Sequence, residues 1–304
     1  MTTPFEPQTA AARPSEMWKF VVASVILLLV FSLPLYHLVR FALQNTLYSH
    51  IILIPFISLF LVWQRRSTLA ARSTPNRQLA VVFFVAGIAL LIGLELAVLS
   101  GSSFAPEDSL SLSTLAFLLI FAGICAWFLC RRMLRAVIFP LAFLLFIVPL
   151  PVFFVVWVET LLQHGSAMVA HGLFSLAGTT VFVDQLTFQL PGITLMIAPE
   201  CSGIHSSLAL LITSVLAGYV VLRSPGKRMI LALAVIPLAL LRNGLRVFVI
   251  GELCVRIGPE MINSYIHRHG GPLFFVLSLI PFFLLLLILV RSESKIRVQP
   301  AIPC

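Results

Sequence analysis

Eight long apolar runs, separated by short segments that are alternately rich and poor in Arg and Lys, leave this chain few ways to fold. The runs cover approximately residues 18–36, 47–63, 79–99, 110–130, 136–151, 203–222, 229–250 and 271–290. About 20 apolar residues in helical form match the ~30 Å hydrocarbon core of a bilayer. Only 10% of the 304 residues are charged and 60% are hydrophobic, too few charges for the surface of a water-soluble domain of this size. The fold class is therefore an all-α polytopic membrane protein of about eight transmembrane helices. No polar stretch is long enough for a second domain. The expected organisation is a disordered N-terminal tail (1–16), one membrane domain (17–291) and a cytoplasmic C-terminal tail (292–304). The first run lacks a small-residue cleavage site and reads as a retained helix, not a signal peptide.

The charges orient the runs. Arg65, Arg66, Arg72 and Arg77 join the second and third, Arg131, Arg132 and Arg135 the fourth and fifth, Arg223, Lys227 and Arg228 the sixth and seventh, and Arg291, Lys295 and Arg297 follow the eighth. With Arg13 and Lys19, fifteen of the twenty Lys and Arg fall in segments that must then be cytoplasmic. The intervening segments carry Glu107, Asp108, Asp184, Glu200, Glu252 and Glu260. Both termini come out cytoplasmic. The net charge of +9 is thereby assigned to short loops beside the membrane, and no basic patch interleaved with aromatics points to nucleic acid.

Residues 152–200 must begin and end on the outer side. Glu159, Gln163, Ser166, Ala167, Ala170 and His171 recur at helical spacing with Val, Leu, Met and Phe opposite, which predicts an amphipathic helix lying in the outer interface. A further pair of membrane passages is the alternative. The alternation of residues 181–190 and 193–197 around Pro191-Gly192 then predicts a short β-hairpin leading to Cys201.

Cys201 stands in Pro199-Glu200-Cys201-Ser202-Gly203-Ile204-His205, where this outer segment meets the sixth run. A helix start favours a thiolate through its free N–H groups and dipole. Arg246 lies near the outer end of the seventh run, about 5 Å below it if that run ends near Ile250. His267 precedes the eighth. All three fall in one outer layer by the charge map alone. A thiol nucleophile, a histidine to accept and return its proton, and a permanently charged guanidinium for an oxyanion or carboxylate together outline acyl transfer through a thioester. Other readings stand beside this one. The cysteine could be packing or disulfide-bonded to Cys254, and Arg246 is shallow enough to snorkel. His205, one turn below Cys201, rivals His267 as base. Arg242, one turn deeper on the same face, rivals Arg246. The five cysteines have no metal-ligand spacing, and neither metal nor cofactor is expected.

At these residues the chain resembles the exosortase and archaeosortase family of multipass membrane cysteine transpeptidases. Tyr48-Ser49-His50 with Leu53-Ile54-Pro55 and Trp63-Gln64-Arg65-Arg66 resembles the family's early helix, and Phe146-Ile147-Val148-Pro149-Leu150-Pro151 its mid-chain Pro-x-Pro break. Leu190-Pro191-Gly192 leading to Cys201-Ser202-Gly203-Ile204 is similar to the segment that presents the nucleophile. Asn243-Gly244-Leu245-Arg246 matches its Asn-x-x-Arg motif, and His267, Gly271 and Phe275 its His-x-x-x-Gly-x-x-x-Phe pattern. The resemblance implies Cys201 as nucleophile, Arg246 as stabiliser or substrate clamp and His267 as general acid/base. It favours Arg246 over Arg242 and His267 over His269 and His205, and His50 matches a family position with no assigned role. Asn243, Arg242, His205, His50 and His269 therefore stand as supporting candidates only. It implies exported protein substrates ending in a short motif, a transmembrane helix and a basic tail (PEP-CTERM-like sorting signals), cut at the outer face of the bacterial inner membrane. A polysaccharide or lipid acceptor would then receive the new carboxyl end, in systems that often accompany exopolysaccharide production. Two readings from other classes compete: a transporter with Glu95, Arg242 and Arg246 along its pathway, and a structural component of a surface-polymer export system.

Overall fold

The structure is a computed structural model that describes residues 14–65, 76–101, 105–198, 202–264 and 270–296. The chain divides into two compact units, Met1–Val152 and Phe153–Cys304. Residues 1–13 and 297–304, most of the two expected tails, lie outside the described residues.

In the first unit, α1 (Pro14–Val30) and α2 (Ser32–Gln44) meet at a 67° bend. A 3-10 turn, Thr46–Ile52, leads into α3 (Ile54–Gln64), followed by α4 (Arg77–Leu99) and α5 (Pro106–Phe128). The α4–α5 pair approaches closely because glycines face bulky residues across it. A Cβ on Gly87 would sit 2.7 Å from Ile120, and one on Gly123 2.9 Å from the Phe84 ring. Such small-residue contacts are how helices pack where lipid offers no hydrophobic drive. Leu27, Phe31 and Ile124 form the buried centre beside them.

α6 (Arg131–Phe143) and the 3-10 turn Leu144–Ile147 stand where the fifth apolar run was read. Neither piece alone is long and apolar enough to cross a membrane. Together they return from the C-terminus of α5 to its N-terminus. There the Ser111 hydroxyl donates to the Pro149 carbonyl at 2.7 Å, and Asp108 accepts from the Val152 N–H at 2.8 Å.

The second unit opens with α7 (Val152–Leu176), a single 25-residue helix that is itself long and apolar enough to cross a membrane. The expectation was a helix lying in the outer interface, with a further pair of membrane passages as the alternative, and length and hydropathy are compatible with a crossing. Gln163, Ser166, Ala167 and Ala170 are buried in protein, while Phe153, Trp157 and Met168 on the other side are exposed. In an apolar solvent the pattern inverts: small and polar residues face protein, bulky apolar ones face lipid. Among the described residues seven helical segments pass by length and hydropathy, or eight with the bent α1–α2 pair.

The predicted hairpin is a three-stranded antiparallel meander: β1 (Phe182–Asp184), β2 (Thr187–Leu190) and β3 (Ile193–Met196). Residues 181–190 do not form one strand but fold back at Gln185-Leu186, with Gln185 at φ +53° and Asp184 paired to Thr187. The second turn is the expected Pro191-Gly192, Gly192 at φ +82° between paired Leu190 and Ile193, as a type II turn requires. The inner face, Phe188, Leu190 and Leu195, packs with Ala167, Ala170 and Phe174 of α7.

α8 (Ile204–Val221), α9 (Pro225–Leu233), α10 (Val235–Arg256) and α11 (Gly271–Ile296) complete the unit, with a 3-10 turn, Pro259–Asn263, after α10. Leu210, Leu222, Leu231, Val235, Phe282 and Leu286 form their shared core. At one end of this bundle Glu293 of α11 accepts from the backbone N–H groups of Arg223 and Ser224, Lys227 donates to Ser292, and Arg228 donates to the Leu222 carbonyl. The basic segments that the charge map assigned to one side of the membrane thus share one end of the unit. The sheet packs on Val247, Phe248 and Val255, toward the far end of α10.

Candidate functional site

α7 and α10 run side by side in the same direction. A Cβ on Gly165 would meet Leu240 at 2.6 Å, one on Gly244 would meet Val169 at 2.6 Å, and one on Gly251 would meet Phe174 at 2.4 Å. Thr179, just past α7, donates to Glu252, which Arg256 also contacts at 2.6 Å. The close approach lets short side chains bridge the helices. Asn243, buried, donates through Nδ2 to the Ser166 hydroxyl at 3.1 Å.

The next bridge reaches the start of α8. Gly203 caps that helix in the left-handed region, φ +75°. Its carbonyl accepts from the Ser207 N–H at 3.0 Å and from the Ser206 and Ser207 hydroxyls at 3.1 and 2.8 Å. Arg242 Nη2 donates to the same carbonyl and to the Ser207 hydroxyl, both at 3.0 Å. Only glycine suits the position. The backbone angle is strained for an L side chain, and a Cβ would lie 3.0 Å from Arg242 Nη2 and 3.3 Å from Asn243 Oδ1. Ser202 beside it is 1% exposed.

Arg242 is 6% exposed, and among the described residues its Nη1 is buried without a hydrogen-bond partner. Arg246, one turn on, is half-buried and close enough to repel it. Two cations on one face of an apolar span are costly, and such residues mark function by default. A field of this sign favours a thiolate or a developing oxyanion over neutral species. α10 runs on to Arg256, about 15 Å past Arg246, and the Gly203 carbonyl meets α10 one turn before Arg246, at Arg242.

A cleft of about 190 Å³ lies alongside, between α10 and α11, with Arg242, Leu241, Leu245, Phe274 and Leu277 in its walls. Phe274 belongs to the first turn of α11, so the helix that follows His267 starts against the arginine face of α10.

Of the residues singled out in the sequence, Arg242, Asn243 and Arg246 share this face. His205 is exposed on the first turn of α8. His50 lies in the first unit, half-buried in the 3-10 turn, with its ring Nδ1 3.1 Å from the Leu47 carbonyl. Cys201, His267 and His269 lie outside the described residues. Cys254 carries a free, buried thiol, which corrects the disulfide considered for it with Cys201. Glu95 is exposed on α4. Among the described residues no three His, Cys, Asp or Glu converge to hold a metal ion.

Gln163 and Ser166 were not singled out as site residues. Their signal was present in the polar face of α7, which was read as part of an amphipathic helix in the outer interface.

A family model described as transmembrane exosortase matches residues 41–284. Comparison with curated proteins and with solved structures gives no match.

Proposed function

This chain belongs to the transmembrane exosortase family, and from that premise we propose that it is a membrane cysteine peptidase and transpeptidase that cleaves PEP-CTERM-like sorting signals, with Cys201 as its nucleophile. The observation that carries the reading is the 3.0 Å bond from Arg242 to the Gly203 carbonyl. It brings the chain two residues past Cys201 onto the arginine face of α10, one turn from Arg246.

Each residue has a step. The Cys201 thiol gives its proton to His267, and the thiolate attacks the scissile carbonyl. Arg246 stabilises the oxyanion that forms. Collapse breaks the C–N bond, and the leaving amine takes the proton from His267. The thioester is then released to a second nucleophile, a polysaccharide or lipid acceptor. Arg242 is the weaker candidate for the oxyanion because its Nη2 is already engaged by Gly203 and Ser207.

The reading includes a location: the bacterial inner membrane, termini in the cytoplasm, site on the periplasmic side. It is supported by the gathering of Arg223, Lys227, Arg228 and Arg291 at the end of the second unit opposite the sheet. A substrate anchored by its own helix and basic tail would present its motif on the sheet side.

The test is processing of a periplasmic reporter that ends in a Pro-Glu-Pro motif, an apolar helix and an arginine cluster. Cys201→Ala should accumulate normally in the membrane and leave the reporter uncut. Cutting at the normal rate by that variant would end the proposal.

A further inference from the structure

The segment that carries Cys201 is tied on both flanks by side chains that take no part in the steps above. Upstream, Gln163 Nε2 of α7 donates to the Ile197 carbonyl at 3.0 Å. Downstream, Arg242 of α10 donates to the Gly203 carbonyl at 3.0 Å. The two anchors are joined to each other. Asn243, the neighbour of Arg242, donates to Ser166, one turn along α7 from Gln163. All four side chains are at most 7% exposed, in a span where apolar residues would be buried at less cost. The result is one connected set of contacts from flank to flank: Ile197, Gln163, α7, Ser166, Asn243, Arg242, Gly203.

We propose that Gln163, Ser166, Asn243 and Arg242 form a brace that positions Cys201. The inference rests on Cys201 being the nucleophile. Holding the Ile197 and Gly203 carbonyls fixes the described flanks between which the nucleophile stands, and a nucleophile held at its flanks spends less of the barrier on orientation. Loosening one flank leaves the fold and the substrate-binding surface in place but lets the thiol wander. A displacement of about 1 Å costs up to about 10²-fold in rate. The brace also accounts for the polar face of α7, which turns toward protein because two of its members are anchors.

The test uses the full-length protein in proteoliposomes with the same reporter, reading kcat, KM and the rate at which a small maleimide alkylates Cys201. Gln163→Leu and Arg242→Met should each lower kcat about 10- to 100-fold with KM changed less than about threefold. The double variant should lose little more than the worse single one, because both cut the same set of contacts. Arg242→Lys should recover part of the loss. Multiplicative losses, or losses that follow the amount of folded protein, would overturn the brace.

Ser166→Ala removes one hydroxyl and covers the case in which Arg242→Met fails to accumulate. Its kcat should fall about threefold to tenfold, and its alkylation rate should shift by a similar factor. Normal turnover and normal alkylation in both Ser166→Ala and Gln163→Leu, with Cys201→Ala inactive, would remove the brace and leave the nucleophile standing. An active Cys201→Ala would remove both.

Discussion

The first unit has an irregular junction at residues 148–151, and the second has one reached through Ile197 and Gly203. Both are held by side chains that donate to backbone carbonyls. At the first, the Tyr48 hydroxyl reaches the Leu150 carbonyl at 3.2 Å and Ser111 reaches that of Pro149 at 2.7 Å. These neutral donors suffice for a break enforced by Pro149 and Pro151. At the second, the donors include a guanidinium buried in an apolar span, its Nη1 without a partner among the described residues and a second cation one turn away. The first junction is closed by two hydroxyls and by the Asp108 carboxylate, which accepts from the Val152 N–H, with no buried cation among the described residues. The added charge at the second junction is what the proposed thioester chemistry would use and what a chain reversal alone does not need.

The widest separation between the junctions is expected in activity. Cys201→Ala should abolish reporter processing, a loss above about 10³-fold, without changing the detergent-solubilised elution profile. Arg246→Ala and His267→Ala should follow at about 10²–10³-fold each, read as kcat on folded protein. Retained activity in either would erase the contrast at its centre.

Gly203→Ala probes both properties of the second junction at once. A Cβ there opposes a φ of +75° and crowds Arg242. Thermal unfolding should register a loss of about 1–2 kcal/mol, and turnover should drop about tenfold or more. A stability loss without a turnover loss would make the two junctions alike.

The smallest effect belongs to the first junction. Ser111→Ala should cost about 1 kcal/mol of stability and leave processing per folded molecule unchanged. A turnover defect in that variant would show that the proline junction is not merely a chain reversal.

Much of the fold was legible because lipid imposes strong rules. Apolar length and the placement of Arg and Lys located α4, α5, α8 and α11 to within a few residues. The turn at Pro191-Gly192 was legible because only glycine suits its second position. The fold-back at Gln185-Leu186 was not, since no glycine or proline announces it and the alternation runs straight through. α7 shows what a sequence leaves open. A helix with one small polar side reads the same whether that side meets water or protein. Only the neighbours, Phe188 and Leu195 of the sheet and Gly244 of α10, decide between them.

The sequence by itself determined the membrane class, the alternation of basic loops, the family, and the residue types from which a thioester mechanism could be assembled. These follow from hydropathy, charge and motif spacing, which are local properties of the chain. The tertiary structure decided that Arg242 grips the carbonyl two residues past Cys201, that Asn243 ties α10 to α7, and that Gln163 holds the upstream flank. Those contacts join residues 34 to 77 positions apart. They depend on glycines that let two helices approach until short polar side chains can meet, a property of the pair that neither helix carries alone.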